Sequence, residues 1–182
     1  MRALLFAIIL LAAPAPAYPQ DNPLTGPDIV RAAAEGDTNG VRSELLRGVN
    51  PNTSTVRGVT GLIAAAKGGH IDVAKAFIQF KARLNAKDPQ GNTALHWAAR
   101  LNKPQFAEVI LRAGADPNAI DKFGTTPLMQ AAKNGSFEFL DLLLRLGAKA
   151  NATDYSGRKA SDFARTIRRL DIVRRLETAE KS

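Results

Sequence analysis

Residues Gly91–Arg100 read GNTALHWAAR and set His96, one of two histidines in the chain, beside Trp97, its only tryptophan. A histidine next to an aromatic ring can be a reactive site or a piece of scaffold, and the surrounding sequence decides which. Within this stretch Thr93–Ala99 is TALHWAA. Thirty-three residues downstream stands TPLMQAA, Thr126–Ala132, and thirty-three upstream stands TGLIAAA, Thr60–Ala66. Further steps of the same length reach PDIVRAA at Pro27–Ala33 and KASDFAR at Lys159–Arg165, both degraded but in frame. His96 therefore shares its slot with Ile63 and Met129. A slot that accepts isoleucine and methionine is a packing slot, and two histidines without any cysteine make a poor zinc set.

Other columns keep the same beat. Gly58, Gly91, Gly124 and Gly157 recur every 33 residues, as do Asn52, Asn85, Asn118 and Asn151. Leu45, Ile78, Leu111 and Leu144 form an aliphatic column; Asp88, Asp121 and Asp154 form an acidic one, with Thr55 in the earlier slot. Each unit has a local logic. In Asp88–Ala119, Asp88-Pro89-Gln90-Gly91 is turn chemistry, because Asp bonds nearby amides and Gly supplies positive φ. Thr93 caps a helix whose stripe is Leu95, Ala98 and Ala99. Phe106, Ala107, Ile110 and Leu111 line a second helix, which Gly114 ends and Pro117 does not continue. Two helices this short cannot bury both faces alone, whereas stacked units can.

A 33-residue period with a T-P-L-H-x-A core resembles the ankyrin repeat, most fully in DKFGTTPLMQAAKNGSFEFLDLLLRLGAKANA, Asp121–Ala152. The resemblance implies an all-α repeat solenoid: an ankyrin array of about five 33-residue helix-turn-helix units joined by β-hairpin-like loops. The units fall near 27–54, 55–87, 88–120, 121–153 and 154–176, with both edge units as caps and a tail at 177–182. It also implies structural roles for His96 and His70, and a groove that binds a partner protein through hairpin tips and inner helices. Mapped onto this chain, the tips carry Val56 and Arg57, Pro89 and Gln90, Lys122 and Phe123, Tyr155 and Ser156. The inner-helix ends carry Lys67, Arg100, Leu101, Lys133 and Asn134, and the column of Trp97, shared with Ala64 and Gln130, faces the groove. Trp97, Phe123 and Tyr155 are the aromatic contacts expected. Arg57, Lys67, Arg100, Lys122 and Lys133 give one face positive charge with no acid among them, which favours an acidic partner.

The ends and the composition set the context. Met1-Arg2, the apolar run Ala3–Ala13 and Ala15-Pro16-Ala17 have the layout of a secretory signal peptide at 1–17, followed by a Pro- and Gly-containing linker at 18–26. The apolar run is too short for a comfortable bilayer span of about 20 residues, and no later segment is apolar enough. Loss of Arg2 with this segment takes the formal charge from +8 to +7. The expectation is a periplasmic or secreted monomer without disulfides, since cysteine is absent. The basic C-terminus, with Arg168, Arg169, Arg174 and Arg175 on a helix whose apolar side is Ile167, Leu170, Ile172, Val173 and Leu176, reads as the exposed face of the capping unit.

No constellation suggests an enzyme or a cofactor. Ser161-Asp162 has no histidine in the repeat frame, Lys67-Gly68-Gly69-His70 lacks a phosphate-loop lysine motif, and Glu138 with Asp141 is a solvated helical pair. The expected function is an exported, non-catalytic scaffold that captures a protein in a concave groove. The alternative is an electrostatic binder of an anionic surface or polymer, with nucleic acid disfavoured by export.

Overall fold

The structure is a computed structural model and describes residues 28–181. The signal-peptide and linker assignments, and Pro27, lie outside the described residues. The described residues form five helix pairs: α1 Asp28–Glu35 with α2 Thr38–Leu46, α3 Gly61–Gly68 with α4 Ile71–Gln79, α5 Ala94–Arg100 with α6 Pro104–Arg112, α7 Pro127–Asn134 with α8 Phe137–Arg145, and α9 Ala160–Thr166 with α10 Leu170–Ala179. First helices begin 33 residues apart at 28, 61, 94, 127 and 160, and second helices at 38, 71, 104, 137 and 170. This is the all-α repeat solenoid that the period implies. Each inner helix packs on the inner helix of the next unit, and the outer helices do the same. Among the described residues the hairpin-like loops contribute one isolated bridge, Ser54 to Thr60.

Repeated residues make repeated helices for local reasons. Thr60, Thr93 and Thr126 hold extended backbone, and each hydroxyl accepts from the third amide of its helix: Ile63 N at 3.3 Å, His96 N at 3.4 Å and Met129 N at 3.3 Å. Pro127 and Pro104 stand at helix starts, where a missing N–H costs nothing. The turn after each of the first four outer helices holds a left-handed residue. Gly48, Gly114 and Gly147 supply it at φ 90°, 101° and 94°, while the second unit puts Lys81 there at φ 59°, which costs a residue with a Cβ about 1 kcal/mol or more.

The core is one continuous cluster running the length of the stack. Ala65, Ala66, Ala98, Ala99, Ala131 and Ala132 are fully buried on the inner helices, and their small side chains let neighbouring helices approach closely. The outer helices supply the bulk through Phe77, Phe106 and Phe139, also fully buried. Each such ring contributes about 1.5–3 kcal/mol by leaving water. Phe77 explains why the second unit starts its helix with Gly61: a Cβ there would lie 2.2 Å from the ring tip.

Polar ties between units use the repeated columns. Asn52, Asn85 and Asn118 each reach across an interface, their Oδ1 accepting from Arg83 N, Asp116 N and Lys149 N at 2.7, 2.9 and 2.8 Å. The acidic column closes the hairpins: Asp88, Asp121 and Asp154 Oδ1 accept from the amides two and four residues on, all within 3.0 Å. Thr55 imitates this with its hydroxyl, accepting from Val59 N at 3.2 Å. Successive tips join through Lys122 N to Gln90 O and Tyr155 N to Phe123 O, both 3.0 Å. Pro89 holds the equivalent donor position one unit earlier and has no N–H, so the tip ladder starts at the third unit.

Two details of the C-terminal unit differ from the sequence reading. Helix α10 continues to Ala179, so residues 177–179 belong to the array and not to a tail. Ala179 packs against the core, and Glu180 is held by Lys159 Nζ at 3.0 Å and Ser161 Oγ at 3.1 Å. Ile167 and Leu170 are not on the apolar side of α10. They are 39% and 64% exposed at the turn, where Arg168 takes φ 59°, and the buried stripe is Ile172, Val173 and Leu176.

Candidate functional site

Inner helices α5, α7 and α9 and the hairpin tips that precede and follow them enclose a concave depression of about 660 Å³. Its lining includes Met129, Gln130 and Phe163, the cations Arg100 and Lys133, and the tip residues Gln90, Phe123, Tyr155 and Ser156. Six residues mapped from the sequence, Gln90, Arg100, Phe123, Lys133, Tyr155 and Ser156, therefore converge here. Phe123 and Tyr155 are 70% and 74% exposed, so their rings stand free at the rim.

Trp97 adjoins this depression on the inner helix of the third unit. It is half-buried, its indole N–H donates to Asp88 Oδ2 at 2.9 Å, and Lys67 Nζ and Arg100 Cζ lie 4.0 and 4.7 Å from its ring centre. Lys67 comes from the preceding unit, so the indole links two repeats while holding two cations in place. Asp88 is fixed in turn. Desolvation pushes its pKa up, but the Trp97 indole, the Asn92 amide and side chain and the Gln90 amide outweigh it, and the carboxyl lies below the usual aspartate range.

Lys67, Arg100 and Lys133 occupy the last turn of consecutive inner helices, where a cation also complements the helix dipole. With Arg57 and Lys122 on the tips they are exposed, and none of the five forms an ion pair with a carboxylate among the described residues. On the outer face and in the C-terminal unit several arginines do find carboxylates. Arg112 pairs with Glu108, Arg165 with Asp162 and Glu177, Arg169 with Asp171, and Arg175 with Asp141. The groove thus carries positive charge that no carboxylate of the described residues neutralises by an ion pair.

The remaining sequence candidates serve differently. Asn134 reaches back to the preceding unit, Nδ2 donating to Ala99 O at 3.2 Å and Arg100 O at 2.7 Å, and so ties α7 to α5. Leu101 is 42% exposed at the far end of α5. Phe163, Met129 and Arg158 line the depression without having been singled out from sequence, whereas Gln130 lines it as a member of the column of Trp97. Phe163 was accessible to that reasoning, since it continues the 33-residue column of Trp97 and Gln130. Arg158 stacks on it at 4.6 Å and pairs with Asp154 at 2.9 Å.

His96 is scaffold. It is fully buried, Nδ1 accepts from Thr93 N at 3.2 Å and Nε2 donates to Thr125 O of the next unit at 2.9 Å. Burial lowers its pKa first of all; the Thr125 carbonyl and Asp121 oppose, and Lys87 and Arg100 add to the lowering. Met129 copies half of this with its thioether, 3.4 Å from Thr126 N. His70 ties the first two units through a ring contact of 3.1 Å to Ala34 O.

The family model for ankyrin repeats (three copies) matches residues 29–121 and 104–181, and the chain belongs to the ankyrin repeat family. It is 34% identical over 67 residues to an ankyrin repeat-containing protein of Schizosaccharomyces pombe, a stretch covering 37% of this chain and 32% of that protein. The chain thus spans about a third of the length of this relative. Ankyrin repeat proteins are in general non-catalytic scaffolds that bind other proteins. No described helix is long and apolar enough to cross a membrane.

Proposed function

We propose that this protein is a monomeric scaffold that captures an acidic segment of a partner protein in its concave groove, and that it acts outside the cytoplasm. One observation carries the first part. The five groove cations lack carboxylate partners among the described residues, and the exposed rings of Phe123 and Tyr155 belong to the same groove. Charge of one sign beside amphipathic rings favours an acidic polypeptide over an apolar one. The contacts are Arg57, Lys67, Gln90, Trp97, Arg100, Leu101, Lys122, Phe123, Lys133, Asn134 and Tyr155. The second part rests on the signal-peptide layout of residues 1–17.

The test is co-purification from the exported fraction with the protein and with a K67E/R100E/K133E variant, whose fold is checked by circular dichroism. A protein retained by the first and lost with the second is expected. Retention unaffected by charge reversal contradicts the groove assignment. Binding to anionic vesicles that collapses with added salt and shows no partner preference is the outcome expected of a general electrostatic binder. A signal-sequence cleavage product beginning near Tyr18 tests the location.

A further inference from the structure

Lys67, Arg100 and Lys133 form a ladder with one cation per repeat, flanked in the same column by Ala34 and Thr166. Packed helices stand about 8–10 Å apart, so an occupant meeting all three must present an anionic group at that interval on one face. The regular backbones differ sharply in this respect. A β-strand rises about 3.3 Å per residue and turns successive side chains to opposite faces, so residues three apart face opposite ways. An α-helix returns to one face after about 5.4 Å and again only after seven residues, about 10.5 Å, beyond the 8–10 Å interval of the repeats. Polyproline II has three residues per turn and rises about 3.1 Å per residue. Every third side chain therefore returns to the same face after about 9 Å, matching the spacing of the repeats.

A second observation points the same way. The depression that Arg100 and Lys133 line is also lined by Phe123 and Tyr155, 70% and 74% exposed, and by Phe163. Aromatic-lined grooves suit proline rings, and a preformed polyproline II segment loses little conformational freedom on docking. The carboxylates at the base of the groove do not compete for the ladder. Asp88, Asp121 and Asp154 are buried and bonded to loop amides.

We infer that the groove takes a proline-rich acidic segment in polyproline II conformation, with a carboxylate at every third residue facing Lys67, Arg100 and Lys133. This rests on the reading of the groove as a site for an acidic protein and adds its conformation and register. The experiment titrates the full chain with two dye-labelled twelve-residue peptides of identical composition, followed by fluorescence anisotropy. One repeats Glu-Pro-Pro; the other places its four glutamates together ahead of its prolines. The repeating peptide is expected to bind at least tenfold more tightly. Each of K67Q, R100Q and K133Q is expected to weaken it by about two- to fivefold, the range of exposed ion pairs. Arg112→Gln, on the outer face and paired with Glu108, should leave it unchanged. Equal affinity for both peptides overturns the register and leaves the acidic-partner reading standing. Binding of neither overturns both.

Discussion

Replacing His96 separates a scaffold histidine from a chemical one, because its two ring nitrogens have different partners. In His96→Leu the volume is nearly kept, but Thr93 N–H loses the acceptor it has at 3.2 Å in a buried setting. An unsatisfied buried donor costs about 1–3 kcal/mol. Thr125 O loses the Nε2 donor but keeps Asp121 N at 3.1 Å, so this side forfeits only about 0.5–1.5 kcal/mol. The sum is a loss of about 1.5–4.5 kcal/mol. His96→Met restores the arrangement of the next unit, where a thioether sits 3.4 Å from Thr126 N, and should cost about 1 kcal/mol. The pH dependence gives a second reading. Burial sets the folded pKa of His96 below its ordinary value. As pH falls, the unfolded chain therefore binds the proton first, so the stability His96 contributes is fully present above about pH 6.5 and declines below it. The wild type should lose up to about 1.4 kcal/mol per pH unit in that range, and His96→Met should lack this component. Urea unfolding followed by circular dichroism at pH 7.5 and 5.5 measures both. A Leu variant within about 0.5 kcal/mol of wild type, or parallel pH profiles for wild type and the Met variant, would refute the assignment.

Three further outcomes are expected. Lys81→Gly should stabilise the protein by roughly 0.5–1 kcal/mol in urea melts, because Lys81 holds φ 59° where other units place glycine; a destabilised variant contradicts the strain. Asn118→Ala removes an acceptor from Lys149 N and a donor to Gly147 O across one interface, and should cost about 1–2 kcal/mol, whereas Asn151→Ala in the exposed last member of the column should change stability by less than about 0.5 kcal/mol. Asp154 should titrate at about 2 by carboxyl NMR. Desolvation raises its pKa, but the Arg158 amide, Ser156 hydroxyl, Arg158 guanidinium and Ser156 amide outweigh it. Its contribution to stability is then present above its ordinary value near 4 and is lost as pH falls towards 2; a midpoint near 4 contradicts the contacts.

Much of the scaffold is legible in the sequence because each physical device is written several times. Thr60, Thr93 and Thr126 announce their helices by capping chemistry, and the paired alanines announce the inner-helix interface. Other columns were visible without their cause. Nothing local to Asn85 or Asn118 reveals that its acceptor serves an amide 31 residues on in the neighbouring unit. The setting of Trp97 was hidden for the same reason, since Lys67 lies 30 residues back and Asp88 nine. The end of the array was misplaced because the last unit degrades its motif, and the contacts of Glu180 with Lys159 and Ser161 depend on a chain reversal that no periodicity records.

The groove reading is tested most directly by the intrinsic fluorescence of Trp97, the chain's only tryptophan, whose ring carries Lys67 and Arg100 within 5 Å. Any carboxylate that engages those cations alters the field at the indole. Titration with a glutamate-rich peptide should give a saturable change that disappears in the K67E/R100E/K133E variant, while a lysine-rich peptide of equal length gives none. An unchanged spectrum with the acidic peptide, or the same change with the basic one, would contradict capture of acidic segments by this groove.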